Sequence, residues 1–320
     1  MRSTAMTPSF GLGASSLGNL FVEMTDLDAH AIVQGMWEGG IRSFDTAPHY
    51  GLGLSERRLG RALRGRPRAE FHVSTKVGRI LEPNPDGAGR MDDEGFVVPA
   101  ALRRRWDFSR DGVRRSIDES LIRLGLDRLD TVYLHDPEGH LDDAVRHAVP
   151  ALVELRESGV VGAIGVGSKD AHALTCVLDT GAIDRAMVAG RYTLLEQPAA
   201  RRVLPAALRH GTEVIAVGIY NSGLLATADP DPRSHYEYGV APESVLERAR
   251  RLARFCRAHG IVLPQAALHF PLQHPAVTGV MVGIGRPEQV QSTLEWMADA
   301  PPPEFWSALR IEGLVDGGDA

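Results

Sequence analysis

A (β/α)8 barrel with long loops at its C-terminal face is the fold predicted by this 320-residue sequence. Eight short β-branched runs alternate with eight amphipathic helical stretches. No composition break or Ser/Gly linker divides them, and the two longest connections both follow strand candidates. The same pattern favours one barrel domain over residues 1–320 against a two-domain doubly wound sheet.

In chain order, the apolar run Phe10 to Ser16 is a first strand, followed by a helix over Leu27 to Glu38. Ile41 to Asp45 is the second strand, with a helix at Leu54 to Leu63. Phe71 to Lys76 is the third, and a long segment, Val77 to Ser109, leads to a helix over Arg110 to Leu124 that Gly125 ends. The fourth unit pairs Thr131 to His135 with Leu141 to Ser158, where Val145, Ala148, Leu152 and Leu155 recur at helical spacing and Gly159 follows. Ala163 to Ser168 with Ala171 to Leu178, and Ala186 to Arg191 with Ala200 to His210, are the fifth and sixth; Gly181 and Gly211 stop their helices. Glu213 to Tyr220 is the seventh strand. A second long segment, Asn221 to Pro242, precedes its helix at Glu243 to His259, which Gly260 closes. Gly279 to Gly283 is the last strand, and Pro287 suits the first turn of a helix running to Met297, where its missing N–H costs nothing.

Composition excludes several functional classes. The net charge of −6, with arginine spread along the chain, is no footprint for nucleic acid or an anionic membrane. No apolar run approaches the ~18 residues of a spanning helix, and Met1 to Pro8 lacks the core of a signal peptide. Cys176 and Cys256 form no metal-ligating or disulfide pattern, so no metal is expected and a reducing cytoplasm is the expected setting. Two glycine patterns are decoys. Gly11-Leu12-Gly13 finds its next glycine only at Gly18, too late for a dinucleotide fingerprint, and Gly162 to Gly167 leads into Ser168-Lys169, the reverse of the P-loop order.

Among the 35 basic residues, lysine occurs only at Lys76 and Lys169. Unlike arginine, lysine offers a compact ammonium with a tunable pKa, so these two positions matter most where protons move. Barrel chemistry collects at the C-terminal ends of strands. Asp45, followed shortly by Tyr50, ends the second strand; Lys76 ends the third and His135 the fourth. A phenol is too weak an acid to exchange protons readily at neutral pH, but a neighbouring ammonium favours its phenolate, and a carboxylate keeps that ammonium charged. A neutral imidazole can hold a reacting oxygen in line. Taken singly, Asp45 also suits a turn or helix cap, Tyr50 a loop aromatic, and His135 a strand-end histidine. Together they are a proton-transfer set suited to hydride transfer at a carbon bearing oxygen.

The stretches Asp45-Thr46-Ala47-Pro48-His49-Tyr50-Gly51, Glu56-Arg57-Arg58-Leu59-Gly60, Ser74-Thr75-Lys76-Val77 and Tyr133-Leu134-His135 resemble the aldo-keto reductase family. Within it, Ile117 to Leu121, Arg191 to Gln197 and Tyr220 to Leu225 are most similar to the branch of aldose 1-dehydrogenases, which also includes pyridoxal 4-dehydrogenase. The resemblance implies oxidation of an aldose's anomeric hydroxyl to a lactone. A reductase of aldehydes or ketones running on NADPH is the alternative, and a cofactor-binding subunit without turnover a third reading.

It also implies a nicotinamide cofactor, NAD with NADP possible, and a small sugar or aldehyde as substrate. Ser168 would meet the carboxamide, Tyr220 would stack on the nicotinamide, Ser222, Gly223 and Leu224 would line the pyrophosphate, and Gly283, Gly285, Arg286 and Gln289 would surround the adenosine ribose. With Arg286 the sole cation there, NAD is favoured. Lys169 and Ala189 depart from the family's usual asparagine and glutamine. Lys169 is read as replacing that asparagine, contacting substrate, or lying exposed beside a helix that Ser168 or Asp170 caps. Trp106 is read as a sugar-packing or a loop-anchoring aromatic.

Overall fold

Period-two alternation along a parallel strand sends every second side chain into a barrel's interior, and the others towards the surrounding helices. The computed structural model, which describes residues 9–237 and 239–315, shows this arrangement. Eight parallel strands close into a barrel in sequence order: β1 (Ser9–Gly13), β2 (Ser43–Asp45), β3 (His72–Val77), β4 (Leu129–His135), β5 (Val161–Ser168), β6 (Arg185–Ala189), β7 (Glu213–Val217) and β8 (Val277–Gly283). Ser74 sits beside Thr131 and Lys76 beside Tyr133 in the β3–β4 register.

The interior is layered. At the N-terminal mouth Arg185 donates to His72 Nε2 (2.9 Å), Thr131 Oγ1 (2.8 Å) and Glu213 (2.9 Å). Above it, Tyr133, Met187, Ile215 and Met281 form an apolar plug. Asp45, Lys76 and His135 lie above that plug at the C-terminal mouth. Outward-facing Val73, Val132, Leu134, Ile164 and Val166 join the large core under the helices.

All eight expected strands are present, with shifted ends. The first stops at Gly13, because Ser16–Gly18 turns into a 3-10 helix. The sixth stops at Ala189, and the seventh stops at Val217, where Gly218 takes a positive φ of 63°. The helices Leu54–Leu63, Arg110–Leu124 and Ala171–Leu178 agree with expectation. The stretch from Leu141 is interrupted by a π-helical turn, Ala144–Ala148, which ends two residues before Pro150; a widened turn accommodates a residue without an N–H inside a helix. Pro287 lies ahead of the last-expected helix, which runs Gln289–Ala298, so it is not in that helix's first turn.

Both long connections carry structure. In the first, Arg79–Pro83 pairs with Leu102–Trp106 as an antiparallel hairpin; in the second, His235–Tyr236 pairs with Gly239–Val240 as a short ribbon. Helices Leu263–His269 and Pro303–Ile311 are additional. Among the described residues no helix is long and apolar enough to cross a membrane.

Candidate active site

Three successive strands of one hand bring Asp45, Lys76 and His135 to a common mouth, and the loop after β2 returns Tyr50 over them. Lys76 Nζ donates to Asp45 Oδ2 at 2.6 Å and to the Thr46 carbonyl at 2.9 Å, while Ser74 Oγ donates to Asp45 Oδ1 at 2.7 Å. Asp45 is 3 % exposed and Lys76 2 %. The ammonium lies 4.7 Å from the Tyr50 ring centre, and the Tyr50 and His135 rings meet perpendicularly at 5.8 Å. The four expected residues therefore converge.

Gly18, a glycine of the first decoy pattern, has a packing role. Its backbone lies against the Tyr50–Gly51 peptide so closely that a Cβ there would fall 2.6 Å from the Tyr50 carbonyl carbon. Gly51 itself has φ 60°. Gly18→Ala is therefore expected to displace Tyr50 and lower kcat by about tenfold to a hundredfold, with a lower melting temperature. Kinetics and calorimetry check this, and wild-type values in both would contradict the packing assignment.

Burial shapes the electrostatics. It pulls the Lys76 pKa down, but the charge and hydrogen bond of Asp45, helped by Tyr50, reverse this and leave it above the ordinary value. For Tyr50, burial raises the pKa, the Lys76 charge opposes, and Asp45 adds to the rise. The net shift is upward, so the ammonium restrains the Tyr50 pKa without bringing it below that of a free phenol. Burial, then the charges of Arg79 and Lys76, holds His135 well below its usual pKa, and burial with Arg79 and Arg104 takes His49 down to about 2. Both imidazoles are neutral at physiological pH.

Several residues beyond the expected four shape the mouth. His49 Nδ1 is buried without a hydrogen-bond partner among the described residues. The His49 carbonyl accepts from Arg104 Nη2 (2.9 Å), and Arg104 forms a buried ion pair with Asp92 (2.5 Å), so the hairpin segment is fastened to the loop that carries Tyr50. Arg79 reaches His135. The Trp106 ring carries the Arg79 guanidinium at 4.2 Å and stacks on Phe108 at 5.9 Å, as a loop anchor does. His49 stands within the Asp45–Gly51 stretch, but an ordinary histidine pKa gives no hint of a neutral buried ring.

A cleft of about 650 Å³ runs beside the barrel mouth, lined by Tyr220, Ser222, Gly223, Gly283, Gly285, Arg286 and Gln289, which the family resemblance groups together. Ser168 and Leu224 do not line it. Leu224 is fully buried, and Ser168 Oγ donates to Glu138 (3.0 Å) and accepts from the Asp170 amide (2.9 Å). Lys169 pairs with Glu237 of the ribbon at 2.9 Å, and Glu237 also pairs with Arg191 at 2.8 Å. Lys169 thus ties the second long loop to the barrel, and Asp170 caps the following helix through the Ala173 amide.

The cleft suits an extended dinucleotide. Tyr220 Oη and Asn221 Oδ1 are buried there without partners among the described residues, and Cβ positions at Gly223 and Gly283 would meet open space. Gln289 Oε1 already accepts from the amides of Gly285 (2.9 Å) and Arg286 (3.0 Å), and Glu23, Asp28 and Glu288 share the lining with Arg286.

A closed parallel barrel with a buried Asp–Lys pair beside a tyrosine and a neutral histidine defines a class, and the chain belongs to the Aldo/keto reductase family, whose profile matches residues 9–311. Enzymes of this family are oxidoreductases that use NAD(P). The chain is 50% identical to a D-threo-aldose 1-dehydrogenase of Pseudomonas sp over 311 residues, covering 96% of this chain and 94% of that one. It is 35% identical to a pyridoxal 4-dehydrogenase of Microbacterium luteolum, covering 98% and 96%. Among solved structures it resembles an aldo-keto reductase of Bacillus halodurans in holo form, with a TM-score of 0.78, 26% identity, and coverage of 99% and 97%.

Proposed function

We propose that the protein is an NAD-dependent aldose 1-dehydrogenase, acting on the anomeric hydroxyl of a sugar of the L-fucose, D-threo-aldose or L-galactose type. The buried Asp45–Lys76 pair facing Tyr50 and His135 carries this reading, supported by the 50% identity to an aldose 1-dehydrogenase. When bound, the nicotinamide accepts the C1 hydride, and its positive charge favours the phenolate. Tyr50 takes the hydroxyl proton as the C1–H electrons depart, leaving a C1=O bond and so the lactone. Lys76 stabilises the Tyr50 phenolate, and Asp45 keeps Lys76 charged in its dry site. His135, neutral, donates a ring N–H to the sugar oxygen. His49 Nδ1, which makes no hydrogen bond among the described residues and has a Glu94 carboxylate oxygen at 3.7 Å, offers a further polar contact, suited to a polyhydroxylated substrate.

Tyr220 lies beside the nicotinamide in this reading, Ser222 and Gly223 beside the pyrophosphate, and Gly283 to Gln289 beside the adenosine ribose. NAD is preferred over NADP because a 2′-phosphate would meet Glu288 and two amides already satisfied by Gln289, with Arg286 as its cation. The two cysteines are free thiols, which suits a reducing cytoplasm. Fluorescence titration is expected to show NAD binding at least about tenfold more tightly than NADP. An activity matrix of aldoses, pyridoxal and simple aldehydes against both cofactors tests the function. Fast turnover of aldehydes with NADPH and none of aldoses with NAD would replace this reading with the reductase.

A further inference from the structure

Gly78 turns the chain sharply out of β3, with φ 112° and no room for a side chain, since a Cβ would lie 2.4 Å from the Phe108 ring. That turn aims Arg79 across the mouth towards the end of β4. Its Nη1 lies 3.1 Å from His135 Nδ1, its Nη2 donates to Asp136 Oδ2 at 3.0 Å, and the guanidinium itself lies over the Trp106 ring. The Arg79 side chain is 11 % exposed. Arginine only donates, so a ring nitrogen hydrogen-bonded to it must present a lone pair. In a neutral imidazole the proton then belongs to the other nitrogen.

We infer that Arg79 is a positioning residue that locks His135 in its neutral Nε2–H tautomer, so that the ring's one N–H is kept for the reacting oxygen. The second half of the fork serves the same end. Asp136 Oδ2 stands 3.7 Å from His135 Nε2, beyond hydrogen-bond distance, and Arg79 holds and neutralises it. Around the ring stand Arg79 and Arg104 from the hairpin, Lys76 from β3, His49 and Tyr50 from the loop after β2, and Asp136 from the end of β4. Burial and the cations oppose a charged His135, and Asp136 is the carboxylate beside the ring. Without Arg79, that carboxylate faces an imidazole free to take either tautomer or a second proton. The Nδ1–H tautomer would turn a lone pair towards the sugar hydroxyl and draw its proton away from Tyr50.

The inference rests on the reading that His135 faces the reacting oxygen, but its main test needs no turnover. Long-range 1H–15N spectra of the full chain without cofactor, with His135 assigned by its loss in His135→Gln, report each histidine's tautomer and protonation. Wild-type His135 is expected to stay neutral and Nε2–H between about pH 5.5 and 8. Arg79→Met keeps an unbranched apolar side chain at this position and removes the guanidinium donor. In it, His135 should populate Nδ1–H or titrate within that range, and kcat should fall about tenfold to a hundredfold with KM changing less than about threefold. Arg79→Lys, which keeps a donor and a charge, should recover part of the tautomer and of kcat, and gives the same comparison should the methionine variant not fold. An Nδ1–H tautomer in the wild type, or an Arg79→Met chain with unchanged tautomer and kcat, overturns the inference. Failure to oxidise any aldose would overturn the proposed function instead, while the tautomer is still read.

Discussion

Replacing Lys76 by methionine is expected to lower kcat for aldose oxidation by about a hundredfold to ten-thousandfold, one of the two largest single effects in the protein. Two losses combine. The Tyr50 phenolate loses its stabilising cation while Asp45, which raises the Tyr50 pKa, remains. Asp45, 3 % exposed, also loses its 2.6 Å partner, and an unpaired buried carboxylate costs about 3–5 kcal/mol of stability unless it takes up a proton. A second substitution separates them: Asp45→Asn with Lys76→Met removes the stranded charge and should restore much of the melting temperature without restoring turnover. Lys76→Arg keeps the charge but must fit a planar fork where Nζ sits between Asp45 and the Thr46 carbonyl, so it too should lose most activity. Near-normal turnover by Lys76→Arg would count against a compact ammonium as the working group.

The second large effect concerns Tyr50→Phe. It leaves the ring beside Phe96 and His135 and the buried ion pair intact, yet removes the hydroxyl that takes the sugar proton in the proposed reaction. Turnover should fall at least about a thousandfold while NAD binds with wild-type affinity, because Tyr50 is not among the residues lining the cleft proposed for the dinucleotide. Calorimetric titration and steady-state rates check both halves. An equal loss of NAD affinity would mean that Tyr50 holds the cofactor instead.

How much of this was legible beforehand follows from what each residue's signal depends on. Barrel strands announce themselves by β-branched runs bounded by turns, and the residue at each strand's C-terminal end inherits its place from topology, so Asp45, Lys76 and His135 could be brought together without coordinates. The hairpin was hidden because Arg103-Arg104-Arg105 carries no apolar alternation; its side chains pair with Glu82, Asp92 and the His49 carbonyl instead. Leu263–His269 escaped because all seven residues are buried, leaving no polar face to set a helical period. Arg79 follows Lys76 by three residues, but only the turn at Gly78 and the neighbouring strand's end decide which imidazole nitrogen it meets. Lys169 was singled out by the scarcity of lysine, and its partner Glu237 lies 68 residues on, a separation no local pattern carries.

The claim that Tyr50 takes the proton while C1 gives up hydride is tested most directly by the pH dependence of NADH formation from an aldose and NAD, in wild type and Tyr50→Phe. Because the Tyr50 pKa lies above its ordinary value in the free protein, its phenolate fraction is small at neutral pH and grows about tenfold per unit as pH rises towards that pKa. His135 and His49 are held neutral, so they add no acid limb between about pH 5.5 and 8. Wild-type kcat/KM should therefore climb from neutral into alkaline pH, with slower turnover on C1-deuterated sugar, and the Tyr50→Phe rate should be negligible throughout. A Tyr50→Phe enzyme that keeps both the rate and the same alkaline rise would contradict the account.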